Sequence, residues 1–224
     1  MARAPADWRS VLRRAEVLVR RRDMRGLDLL LPALRWRSQG ARNRAVVLLA
    51  RMGPVAVPPL VVALEGARTA TERSGAADAL GRIGDSRAVS RLIHALEDPV
   101  MTVRRASMVA LQRLEAMNAV PRIARLLGDE SGGVRVTAAA VLGKFEDPRA
   151  VPALVRSLGD AQWDVRQASG ARWGRSATGG PSPRSRKRLA TPASPSPGPR
   201  PQRCAPCDRN PLERLEKVLS ETRG

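Results

Sequence analysis

The 224-residue chain has no tyrosine, one phenylalanine and four tryptophans. A core without large rings must be filled by Ala, Leu and Val, which suits closely packed helices better than a β-sandwich. Histidine occurs once, as His94, followed by Ala95. A single imidazole excludes an iron, zinc or haem site built from several, and leaves no ordinary Ser-His or Cys-His arrangement. No cofactor is expected.

Cysteine is nearly absent. Cys204 and Cys207 form no disulfide framework, in agreement with a reducing compartment, and a lone CxxC outside a βαβ unit is a weak redox signal. Long apolar runs are also missing: Ala45–Ala50 and the Pro-broken Val55–Leu64 fall short of the ~20 residues that cross a bilayer. Met1–Arg22 is charged throughout and lacks the apolar centre of a secretory signal. The expectation is a cytoplasmic protein with no membrane span.

Charge is plentiful but unbalanced, with 40 basic against 21 acidic residues, +19 overall. It is unevenly spread: residues 1–40 carry +6, 41–170 carry +5, 171–207 carry +8 with no acidic group, and 208–224 are neutral. The largest share lies in a Pro-rich stretch, so the step from total charge to a nucleic-acid partner weakens.

One pattern recurs three times at a spacing of 31 residues. Leu80, Leu111 and Leu142 are in register, as are Val89, Val120 and Val151, then Leu96, Leu127 and Leu158. An earlier copy fits with one-residue slippage through Leu49, Val57 and Arg73, and Trp8–Arg22 with Met24–Trp36 reads as a degenerate first helix pair. Within each copy the apolar spacing is helical, as in Val89, Leu92, Ile93 and Leu96. Helices of ten to twelve residues are too short to stand alone, so stacking on neighbouring units must stabilise them. Pro58, Pro121 and Pro152 fall at the start of second helices, where a missing N–H is no loss, and Asp98-Pro99 marks a break between units. The predicted fold class is all-α: an α-solenoid, a superhelix of stacked antiparallel helix pairs with ~31-residue repeats.

The strings AADALGRIGDSRAVSRLIHALEDPVMTVRRA and TAAAVLGKFEDPRAVPALVRSLGDAQWDVRQA resemble HEAT repeats of the short bacterial kind, the phycobilisome-lyase HEAT-like repeats. The likeness is close over 41–170 and poor over 1–40. It implies the solenoid and leaves function open, because such repeats serve bilin lyases, deoxyhypusine hydroxylases, DNA-repair glycosylases and many scaffolds. The pairs Asp98 and Arg104, Asp129 and Arg135, and Asp160 and Arg166, each six apart, resemble that family's inter-repeat ladder, a structural role.

In the family, second helices line the concave side. Their exposed positions here are Arg91 and Arg122 in one row and His94, Arg125 and Arg156 in the next, a basic stripe suited to carboxylates or phosphates. A solvated polar face is the plain alternative. The hydroxylases hold di-iron through His-Glu dipeptides, which this chain lacks. A bilin lyase mainly positions a chromophore and its acceptor, and no residue here asks for a bilin. Nucleic-acid binding would want aromatic residues interleaved with the arginines, and only Trp163 is available.

Residues 171–207 support two readings. One is a disordered basic segment, extending to about residue 210 and followed by a short amphipathic helix at 211–221 within a 211–224 terminus. The other is a frameshifted repeat, because plausible GC-rich codons read one nucleotide out of phase restore Ala-Leu-Gly and Ile-Gly-Asp where a further unit would have them. The expected function is a non-catalytic scaffold that binds an acidic protein surface. A bilin-lyase-like or hydroxylase-like relative without metal ligands, and a nucleic-acid binder, are the alternatives.

Overall fold

A computed structural model describes residues 7–176. The chain forms an all-α solenoid of helix pairs, and the first pair is α1 (Trp8–Arg20) with α2 (Arg25–Ala33). Four units follow: α3 (Gln39–Met52) with α4 (Val57–Gly66), α5 (Ala70–Ile83) with α6 (Val89–His94), α7 (Met101–Arg113) with α8 (Val120–Arg125), and α9 (Gly132–Phe145) with α10 (Val151–Ser157). Helix α11 (Trp163–Ser176) opens the next unit. Helix α11 runs six residues into the 171–210 stretch expected to be disordered; the rest of that stretch, the Cys204 and Cys207 pair and the helix anticipated at 211–221 lie outside the described residues.

The repeated leucines build the core. Leu80, Leu111 and Leu142 are fully buried at equivalent points of α5, α7 and α9, beside Ala79, Ala110 and Val141. Small side chains let the first helices approach closely. At Gly81 a Cβ would fall 2.5 Å from the Ala110 Cα on α7, so the absence of a side chain sets the α5–α7 spacing.

Second helices are short, and each of α4, α6, α8 and α10 is entered through a single 3-10 turn. In α4, α8 and α10 a proline sits within the first two positions. The Asp85 and Asp147 side chains begin two of the entering turns by accepting from the Arg87 and Arg149 N–H at 2.9 and 2.8 Å. First helices end on a residue with positive φ at matching positions: Gly53 (φ 71), Gly84 (φ 80), Glu115 (φ 50) and Glu146 (φ 53). Gly53 bears on the apolar stretch Gln39–Gly66, which by length and composition alone would span a membrane. Its backbone, at φ 71 and ψ −148, breaks that stretch into the two helices of one repeat, and both bury their apolar faces in the core.

Candidate functional site

Two sets of charged side chains run along the solenoid. The first ties the units together. Arg73 donates to Asp98 through Nε at 2.7 Å, Arg104 to Asp129 through Nη2 at 2.8 Å, and Arg135 to Asp160 through Nε at 2.8 Å. Each guanidinium reaches the carboxylate 25 residues ahead, in the following unit. Its Nη1 meanwhile donates to the backbone carbonyl six residues behind: Arg73 to Ala67, Arg104 to Asp98, Arg135 to Asp129 and Arg166 to Asp160, at 2.7–2.9 Å. Residues six apart in the sequence are therefore joined through the main chain, and the ionic contact spans units. Each carboxylate is also fixed locally, since Asp98, Asp129 and Asp160 accept from the N–H two residues on at 2.8 Å.

This geometry sets the ionisation of the ladder. Burial pushes the Asp98 carboxyl upward, but the Arg73 guanidinium and the Val100 N–H outweigh it and hold the group below the ordinary carboxylate value. The Arg135 guanidinium and the Gln162 N–H hold Asp160 low as well. Arg73, Arg104 and Arg135 are in turn held more firmly protonated, chiefly by the hydrogen bonds to Asp98, Asp129 and Asp160.

A weaker tie uses the turns that enter the second helices. Arg87 pairs with Asp85 at 2.7 Å and donates to the Pro54 carbonyl of the preceding unit at 3.2 Å. Arg149 does the same with Asp147 and the Met117 carbonyl, at 2.6 and 3.0 Å.

The second set lies on the outward face of the second helices, and the structure divides it. Arg91 of α6 is neutralised by Glu65 of α4 at 2.8 Å, and Arg122 of α8 by Glu97 at 2.6 Å. That row is an internal chain of ion pairs between neighbouring units. His94, Arg125 and Arg156 form the other row, all exposed. Among the described residues, Arg125 and Arg156 make no ion pair. Upstream, the row continues with exposed Val62.

A cavity of about 540 Å³ opens beside this face, lined among others by Glu65, Ala67, Arg73, Arg91, His94 and Asp98. Most of its charges are already paired with one another. Among the described residues no three His, Cys, Asp or Glu side chains gather as metal ligands, and His94 has neither a hydroxyl nor a thiol as hydrogen-bond partner. The arrangement can hold an anion or a peptide; it contains no pairing of nucleophile and base.

Stacked helix pairs joined by an Arg-to-Asp ladder define an α-solenoid repeat protein. The model of the family described as HEAT repeats matches residues 27–112 and 101–172, and the chain belongs to that family. No curated protein matches. Among solved structures, the phycocyanin lyase complex of CpcE and CpcF from Nostoc sp. PCC7120 is similar at 22% identity and a TM-score of 0.62, over 67% of this chain and 99% of that one. Human deoxyhypusine hydroxylase in complex with glycerol aligns at 20% identity and a TM-score of 0.48, over 76% of this chain and 80% of that one. A designed armadillo repeat protein in complex with the peptide (KR)4 aligns at 20% and 0.48, over 75% and 90%.

Proposed function

We propose that this protein is a non-catalytic HEAT-repeat scaffold that binds an acidic protein segment along the outward face of its second helices. The observation that carries the reading is the contrast between two rows on that face. Arg91 and Arg122 are held by Glu65 and Glu97, whereas Arg125 and Arg156, 31 residues apart and in register, are exposed and without a carboxylate among the described residues. Unpaired guanidinium groups at a fixed spacing favour bidentate capture of Asp and Glu side chains. Arg125 and Arg156 stand in two successive units, so an extended segment can meet both in turn.

Fluorescence anisotropy with a labelled Asp/Glu-rich decapeptide tests this directly, with a Lys-rich decapeptide and a short DNA duplex as comparisons. The expected result is saturable binding of the acidic peptide, weakened by added salt, with no binding of the Lys-rich one. Duplex binding tighter than the acidic peptide at moderate salt would overturn the reading in favour of nucleic acid.

A further inference from the structure

We propose that the ladder has an open rung at Ala67, within the described residues, and that Arg42 there receives an Asp or Glu side chain of the partner. Arg42 precedes Arg73 by one 31-residue period. Its Nη1 donates to the Trp36 carbonyl at 2.5 Å and the Arg37 carbonyl at 2.8 Å, as Arg104 Nη1 donates to the Asp98 and Pro99 carbonyls at 2.9 and 3.0 Å. The guanidinium is thus held in the ladder pose.

The carboxylate due 25 residues ahead is missing, because position 67 is alanine. Ala67 is the structural equivalent of Asp98, since its carbonyl accepts from Arg73 at 2.9 Å just as the Asp98 carbonyl accepts from Arg104 at 2.9 Å. Arg42 makes no ion pair among the described residues, and its Nη2 turns instead to the neutral Gln39 side chain. Glu72, early in α5, is engaged by Arg35 at 3.6 Å.

Arg37 and Arg68 stand exposed beside the rung in sequence, also without ion pairs among the described residues. The result is a half-buried, preoriented cation with no ion pair among the described residues, in a rung whose two ends at Trp36 and Ala67 are each followed by an exposed arginine, Arg37 and Arg68. A carboxylate supplied from outside restores the pairing that the other three rungs make internally. This rests on the acidic-partner reading and adds a second, separate point of contact to it.

The test is side-chain NMR of the full chain with 15N-labelled arginine, titrated with the Asp/Glu-rich decapeptide and, separately, with inorganic phosphate. The peptide is expected to shift the Arg42 Nε–H resonance saturably. Ala67→Asp, which fills the rung from within, is expected to weaken that response at least tenfold. No saturable Arg42 shift in the wild-type protein, or a shift that Ala67→Asp leaves unchanged, overturns the inference. Saturation by phosphate at a lower concentration than by the peptide overturns the assignment to a carboxylate side chain. An R125Q/R156Q variant separates this inference from the wider reading. If that variant binds the peptide as tightly as wild type while Arg42 still responds, the second-helix face falls and the open rung stands; weakened binding with Arg42 silent has the opposite meaning.

Discussion

Arg104 and Asp129 belong to different repeats, yet their side chains meet at 2.8 Å with only 8% and 7% of their surfaces exposed. They form the most enclosed rung of the ladder. Arg104 donates Nη1 to the main chain behind it, and its buried Nε has no acceptor, so the guanidinium depends for its remaining stabilisation chiefly on Asp129, with the exposed Glu130 at 3.5 Å as a weaker second anion.

Removing that carboxylate leaves a buried cation with only the exposed Glu130, at 3.5 Å, as counter-charge. Asp129→Ala is expected to cost about 3 kcal/mol, at the low end for a broken buried pair. Arg122→Gln, which breaks the exposed pair with Glu97, is expected to cost less than about 1 kcal/mol. Urea unfolding of the two variants checks both, and equal losses would contradict the ranking.

Acid should weaken the ladder in a defined window. The Arg135 guanidinium holds Asp160 below its ordinary value of 3.8, and Asp98 is also held low despite the opposing effect of burial. A carboxyl with a depressed folded-state pKa takes up protons more readily in the unfolded chain. Its stabilisation is therefore present above the unfolded value, about 4, and is lost as pH falls through the folded value. The urea midpoint is expected to be flat from pH 7 to 5 and to drop below pH 4, less steeply in Asp160→Asn. A midpoint that rises on acidification would contradict this.

Gly81 sets two effects against each other. Alanine gains about 1 kcal/mol of helix propensity over glycine, but its Cβ meets the α7 backbone at Ala110, and overpacking of this kind costs roughly 1–3 kcal/mol. Backbone yields less readily than a side chain, so Gly81→Ala is expected to be destabilising. A raised melting temperature would show that α5 and α7 separate easily.

Glu115 and Glu146 occupy the left-handed position that glycine fills at Gly84. The strain of a side chain there is about 1–2 kcal/mol, offset in part by glycine's larger entropy loss on folding. Glu115→Gly and Glu146→Gly should each raise stability by about 0.5–1 kcal/mol in urea unfolding.

The period, the helix pairing and the buried leucine rows were legible in the sequence because burial repeats every 31 residues and leaves an apolar mark. The ladder was legible as a set of residues but not as contacts. Arg104 stands six residues after one aspartate and 25 before the next, and register alone does not tell the main-chain partner from the ionic one. The basic stripe was read without Glu65 and Glu97, which lie 26 and 25 residues before Arg91 and Arg122 and neutralise them. A search for carboxylates 25 or 26 residues before each arginine finds both. Ala67 leaves no mark in the sequence for a different reason: a missing side chain shows only once its neighbours are placed.

The central claim is that the His94, Arg125 and Arg156 row, and not the paired row beside it, captures an acidic segment. The most direct measurement is the affinity of the Asp/Glu-rich decapeptide for the R125Q/R156Q variant beside R91Q/R122Q, with helicity and melting temperature recorded for each. The account predicts at least a tenfold loss for R125Q/R156Q and a loss of less than about threefold for R91Q/R122Q, with both proteins folded. Equal affinities in the two variants, or a larger loss in R91Q/R122Q, would contradict it.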